Sequence, residues 1–263
     1  MSFIDQDWKE TLTREGLITF DDWWDIQAEA VEPTNERGGW SNVITHTCQD
    51  GTVLYVKRQE NFFPQNKLKR LLRKLTFALE FQNWKVMKQK GINVYKLVYF
   101  QTRKINGNRQ AVLVSEQLEN YTSMFELMEH WQANGWPDTA TRRRILEPLI
   151  CHIRKMHQAG ILHNALSGMH AFLNIPVIEG KAVIPDTVVP AFIDFEGTKK
   201  LSSSSDMGVM RDLLSLNRRL PDWPNKDRLW FYLKYLEAEK LTPESRELLT
   251  RFLKRTRKLQ LRP

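Results

Sequence analysis

Apolar positions change their spacing near the middle of the chain. From about Trp40 to Val114 they come in short β-rich runs: Ser41 to Thr47, Thr52 to Lys57 after the turn signal Asp50-Gly51, Val94 to Thr102, and Gln110 to Ser115 beyond Asn106-Gly107. Between these runs, Leu68 to Gln89 returns Leu68, Leu71, Leu72, Leu75, Leu79 and Trp84 to one side at helical spacing. One helix is thus expected to interrupt a pattern of about five strands. After Glu119 the spacing becomes helical. Met124 to Asn134 and Thr141 to Gln158 read as helices, the second carrying Ile145, Leu149, Ile153 and Met156 before a stop at Ala159-Gly160. A short hairpin-like region follows, and from Ser205 onward most segments are helical again. The pattern predicts an α+β chain with a strand-rich first part carrying one main helix and a helix-rich second part.

Length and composition refine this picture. The chain has 263 residues and is 41% apolar, enough for one large domain or two lobes with a proper core. Cys48 and Cys151, its only cysteines, lie outside any familiar metal-ligand spacing and read as reduced thiols. No stretch approaches the ~20 apolar residues of a membrane span, and acids precede any apolar run at the N-terminus, so neither export by a signal peptide nor an integral location is expected. The net charge of +8 favours anionic partners such as nucleotide phosphates or an acidic membrane surface. Basic residues concentrate in Lys67 to Lys74 and in Arg251 to Arg262, where leucines at helical spacing indicate amphipathic helices with solvated basic faces. The nine tryptophans lie mostly among apolar neighbours, as Trp23-Trp24 and Trp230 do, which points to core packing rather than base stacking; no nucleic-acid partner is expected.

Candidate chemistry begins at Lys57, which closes the apolar run Val53-Leu54-Tyr55-Val56 and resembles the strand-three lysine of kinases that neutralises ATP phosphates; taken alone, a lysine there reads as a solvated strand end. Glu80 follows among Phe77, Leu79 and Phe81, and an acid facing inward there needs a partner, for which Lys57 is the candidate. Gly38-Gly39, ahead of the first long strand, stands where a phosphate-covering turn would lie, although any turn could use two glycines. Glu116-Gln117-Leu118 occupies the place of an inter-lobe hinge whose backbone would read an adenine edge. The most specific run is Met156-His157-x-x-Gly160-Ile161-Leu162-His163-Asn164-Ala165-Leu166, followed by His170-Ala171-Phe172-Leu173: an apolar-faced helix, a glycine stop and a histidine-led loop, as in the approach to a kinase catalytic loop. About 20 residues on, Ile193-Asp194-Phe195-Glu196-Gly197 matches the metal-binding Asp-Phe-Gly element with one residue inserted.

These residues together resemble the lipopolysaccharide kinase (Kdo/WaaP) family and its InaA-like branch, over roughly Trp24 to Asp212. The resemblance implies a single protein-kinase-like domain over 1–263, with an N-lobe at 1–116 and a C-lobe at 117–263. It implies ATP and Mg²⁺ as cofactors, with Lys57, Glu80, His163 and Asp194 as catalytic residues. Gly38, Gly39, Lys57, Glu116, Gln117 and Leu118 would bind the nucleotide, and Asp194, His170 and Glu196 the metal. If Asp194 and Glu196 share an extended segment they point to one side and can serve one ion. Asp212 resembles the acid that braces the catalytic loop. Ala165 departs from the pattern, because it stands where the family carries the catalytic aspartate and a methyl group cannot accept a proton. Two readings follow: an ATP-dependent phosphotransferase of the lipopolysaccharide core-sugar type, impaired at this position, or a pseudokinase or nucleotide-binding interaction module of the bacterial envelope or stress response. In either, the implied partners are ATP, a lipopolysaccharide core or other anionic glycolipid and an anionic membrane surface, and the implied location is the cytoplasm, peripheral to the inner membrane.

Overall fold

The computed structural model describes all residues except 37, 66–70, 72, 202–205, 219, 221–222 and 261–263. The chain divides into two compact units, one of Met1–Val86 with Tyr95–Leu118, the other of Met87–Val94 with Glu119–Pro263.

The first unit is built on a six-stranded antiparallel sheet of β1 (Ser2–Ile4), β2 (Asn35–Glu36), β3 (Trp40–Thr47), β4 (Val53–Glu60), β5 (Leu97–Ile105) and β6 (Asn108–Glu116), in the order β1-β5-β6-β4-β3-β2. The sequence reading missed both edge strands, which are two and three residues long, too short for alternation to register. Side-chain alternation along β4 explains the two faces. Leu54 and Val56 point into a core with Leu12, Phe20 and Trp23 from helices α1 (Lys9–Glu15) and α2 (Phe20–Trp24). Arg58 on the same face donates to the carbonyls of Trp24 and Ile26 at 2.7 and 2.8 Å. The opposite face packs under α3 (Thr76–Gln89), where Phe81 stacks on Phe100 with ring centroids 4.1 Å apart. Because both faces are covered, β6 is buried without interruption from Gln110 to Ser115.

The expected helix over Leu68–Gln89 is interrupted among the described residues, with Leu71 helical and a break after it. Arg73 takes the left-handed conformation at φ 49°, which no α-helix accommodates, and the helix starts at Thr76. Leu75, Leu79 and Trp84 are buried as the periodicity implied, whereas Leu71 is exposed. Leu68, Leu72 and most of the basic run from Lys67 lie outside the described residues.

The second unit centres on α5 (Thr139–Gln158), which follows α4 (Met124–Asn134) and buries Ile145, Leu149, Ile153 and Met156. Ser123 and Glu126 form a capping box that starts α4, and Asp138 caps α5 through the amides of Ala140 and Thr141. Three small sheets carry the loops that follow. β7 (Thr122–Ser123), β9 (Ala171–Leu173) and β12 (Pro190–Phe192) form one in the order β12-β9-β7, and β8 (Ile161–Leu162) pairs with β13 (Lys199–Lys200). The segment between β9 and β12 folds as an exposed hairpin of β10 (Val177–Ile178) and β11 (Lys181–Ala182), turned by Glu179 and Gly180 with φ of 49° and 73°. Helices α6 (Asp206–Arg218), α7 (Asn225–Tyr235) and α8 (Pro243–Gln260) complete the unit. Among the described residues no helix is long and apolar enough to cross a membrane.

Candidate active site

Lys57 lies on the α3 face of β4, opposite in register to Val43 and Leu113. Its Nζ is 2.8 Å from Oε1 of Glu80, whose side chain is only 1% exposed. The same oxygen accepts the Tyr95 hydroxyl at 2.9 Å, and the ammonium stands 5.8 Å from the centre of the Phe77 ring. A carboxylate this deep would be expensive alone, and the cation with the phenol supplies what water would have given it. Tyr95 was not anticipated; it lies 15 residues from Glu80 and only the return of the chain onto β5 brings it there.

Gly38 and Gly39 form the turn between β2 and β3, at the sheet end where β4 finishes, three residues past Lys57. Gly38 has φ 69° and is exposed, while a Cβ on Gly39 would overlap the Glu60 carbonyl oxygen and the Asn61 backbone. The Gly39 position is therefore dictated by close approach of two backbones. In Glu116-Gln117-Leu118, the first two amides donate to the carbonyls of Lys96 and Val53, both at 2.9 Å, and the Glu116 carboxylate is 3.8 Å from Lys96 Nζ. Those two amide donors are committed to the sheet.

In the second unit Asp212 organises the histidine-led loop. It is fully buried and accepts the amides of His163 and Asn164, both at 2.7 Å, and lies 3.2 Å from His157 Nε2. These bonds hold the loop at the point where Asn164 adopts φ 64°. His157 Nδ1 contacts the Tyr235 hydroxyl at 2.8 Å, and burial pushes that phenol up to about 12. His163 is likewise fully buried and donates Nε2–H to the Ile193 carbonyl at 2.9 Å. Burial holds its imidazole below the usual range, outweighing the opposing charges of Asp212 and Asp194, so the ring is neutral and ties the loop to the strand end before Asp194.

His170 and Asp194 meet next to Ala165. The Ala165 carbonyl accepts His170 Nδ1–H at 2.8 Å, and the other nitrogen, Nε2, faces Asp194 Oδ2 at 3.5 Å. A carbonyl can only accept, so in the neutral ring Nε2 carries a lone pair directed at a carboxylate oxygen. Two acceptors face one another, an arrangement that a proton on Nε2 or a cation between them relieves. The pair, partly exposed, fits a divalent ion in its carboxylate oxygen, although imidazole is a poorer donor to Mg²⁺ than to softer metals. Glu196 does not share the extended segment imagined for it. Asp194 has φ 64°, and Phe195 to Thr198 form a turn closed by the Thr198 amide on the Phe195 carbonyl at 3.1 Å, so the alternation that would align the two acids is broken. The methyl of Ala165 is half-buried, and a Cβ placed on Gly197 would lie 3.7 Å from it, an ordinary contact.

A cavity of about 380 Å³ in the first unit is lined by Arg73, Lys74, Arg103, Lys104 and Arg109 around Leu75 and Leu79. Sequence reasoning did not assemble these cations, because they come from the α3 approach and from both strands of the β5–β6 hairpin.

The profile of the lipopolysaccharide kinase (Kdo/WaaP) family matches residues 21–235. Protein InaA of Escherichia coli (strain K12) is 23% identical over 208 residues, covering 79% of this chain and 91% of that protein. A solved structure of WaaP in complex with acyl carrier protein superposes with a TM-score of 0.72 at 18% identity, over 98% of this chain and 99% of the other, which supports the kinase-like α+β fold. With Lys57 paired to Glu80, and with the His163 loop braced by Asp212 beside Asp194, the chain belongs to the lipopolysaccharide kinase (Kdo/WaaP) family.

Proposed function

We propose that the protein binds ATP with Mg²⁺ and transfers phosphate, slowly, to a sugar hydroxyl of a lipopolysaccharide core or similar anionic glycolipid at the cytoplasmic face of the inner membrane. The observation that carries the reading is the 2.8 Å pair between Lys57 and the buried Glu80, since kinase catalysis requires this lysine to be held ready for the nucleotide phosphates. Asp194, with His170 beside it, is the metal-binding carboxylate, and Mg²⁺ when bound neutralises charge on the β- and γ-phosphates. Lys57 places its ammonium on the phosphates while Glu80 and Tyr95 fix its direction. Asp212 and His163 keep the loop rigid. The cation-lined cavity is consistent with an anionic acceptor or membrane surface.

Ala165 limits the rate. Loss of a positioned base forfeits about 10²–10⁴-fold, but phosphoryl transfer relies mainly on positioning and charge neutralisation, which the remaining residues supply. Ala165 also favours a second reading, a nucleotide-binding module without turnover. A thermal-shift titration with Mg²⁺ and ATP should raise the melting temperature of the wild type and leave Lys57→Ala and Asp194→Ala unmoved. Transfer of labelled γ-phosphate to a lipopolysaccharide core acceptor should be detectable, vanish in Asp194→Ala and rise in Ala165→Asp. Binding with no transfer in either wild type or Ala165→Asp selects the binding module, and the absence of any nucleotide response removes both readings.

A further inference from the structure

A second constellation of reactive side chains lies on the other face of the first unit's sheet, away from Lys57. His46 is the next-to-last residue of β3 and Cys48 follows it by two residues, so both project from the same side of the strand, toward the C-terminal end of α1 where Glu15 sits. One ligand atom from each of Glu15, His46 and Cys48 lies within 4.8 Å of the others. Three details mark the group as more than a chance neighbourhood. The Glu15 side chain is 6% exposed, and while its Oε1 accepts the Gln49 amide at 2.9 Å, its Oε2 faces His46 Nε2 at 3.8 Å, beyond hydrogen-bonding distance. His46 Nε2 is shielded from solvent and has no hydrogen-bond partner. Cys48 is buried with its sulfur beside both.

From this geometry we infer a binding site for a zinc-type divalent cation, with Glu15 Oε2, His46 Nε2 and Cys48 Sγ as protein ligands and a fourth position left for water. Ligand atoms at tetrahedral angles around zinc stand about 3.4–3.6 Å apart, given metal–ligand distances near 2.0–2.3 Å. The Glu15–His46 separation of 3.8 Å is therefore already close to that of a coordinated pair. The mixed N, O and S donor set suits zinc; a thiolate is foreign to Mg²⁺ or Ca²⁺, and the carboxylate disfavours Cu(I). The thiolate is the form that binds a metal, so coordination exchanges the Cys48 thiol proton for the metal–sulfur bond and releases that proton to solvent. The bound ion would pin α1 to the end of β3 and stabilise the N-terminal half of the unit by mass action.

The test uses the full chain stripped with a chelator and titrated with Co²⁺ as a spectroscopic probe. One equivalent should produce the near-ultraviolet thiolate-to-cobalt charge-transfer band, displaced by Zn²⁺. Cys151→Ser, which removes the exposed cysteine, should keep the band. Cys48→Ser should abolish it, and Glu15→Gln should weaken Co²⁺ binding by at least the roughly tenfold that loss of a supporting metal-site group costs. Zn²⁺ should also raise the melting temperature of the wild type, reversibly on adding chelator, which keeps the inference testable should Cys48→Ser not fold. A wild type with neither band nor thermal response, or a band that survives in Cys48→Ser, overturns the site. Neither result depends on nucleotide binding or turnover.

Discussion

Replacing Lys57 with methionine keeps most of the side-chain volume and removes the ammonium that faces Glu80. The carboxylate it leaves behind is 1% exposed and retains the Tyr95 hydroxyl at 2.9 Å. Removing one partner of a buried pair costs about 3–5 kcal/mol. Lys57 itself is 21% exposed, so solvent screens part of the attraction and the lower end applies, about 3 kcal/mol. With a urea slope of about 2 kcal/mol per molar, that is a fall of roughly 1.5 M in the unfolding midpoint. Tryptophan fluorescence suits the measurement because Trp84 is buried on the same helix as Glu80. The double variant Lys57→Met/Glu80→Gln replaces the stranded charge with an amide that can still pair with Tyr95, and should recover most of the loss. If Lys57→Met unfolds at the wild-type midpoint, or the double variant is as unstable as the single one, then the pair is not what stabilises the buried Glu80 and the argument from its burial fails.

Asp212→Asn should cost about 3 kcal/mol in the same assay and abolish the nucleotide-dependent thermal shift, because the His163 and Asn164 amides bond to different carboxylate oxygens at 2.7 Å and the asparagine, with one oxygen, must turn its NH2 toward one of them. His163 is held neutral by burial, so below its unfolded value near 6.5 the unfolded chain takes up a proton that the folded chain refuses; stability is therefore full above that pH and falls on acidification, by up to ~1.4 kcal/mol per pH unit. His152, also lowered by burial, adds a slope of the same sign, so His163→Gln should flatten the urea midpoint against pH between 7 and 5 only in part. Gly39→Ala should lower the melting temperature more than Gly16→Ala. The first drives a methyl into the Glu60 and Asn61 backbone, whereas the second meets open space and costs only the ~1 kcal/mol of a left-handed residue at φ 70°.

Some of this was legible in the sequence. The strand spacing around Lys57 and the periodicity of Ile145, Leu149, Ile153 and Met156 report local geometry, and local geometry is what alternation and helical period encode. The same holds for the family motifs, whose order along the chain needs no fold to be recognised. Glu80 could be matched to Lys57 because burying an acid among Phe77, Leu79 and Phe81 demands a cation. The two short edge strands gave no such signal, nor did the left-handed turn at Arg73 that shortens α3, since neither carries a period.

What the tertiary structure alone decided are the meetings between residues distant in the chain. Tyr95 reaches Glu80 only when β5 returns beside α3, Asp212 gathers two amides and His157 across about 50 residues, and Glu15 joins His46 across 31 residues and Cys48 across 33. The sequence reads Cys48 as a reduced thiol outside any ligand spacing because motif spacing counts ligands along one segment, while Glu15 arrives from a helix packed on the sheet. Alignment of Glu196 with Asp194 was conditional on an extended segment, and the positive φ at Asp194 with the turn from Phe195 to Thr198 removes that condition. Residue type and period fix which groups are available and which face they take within an element. Their contact partners are set by how elements pack, and packing is a property of the whole core.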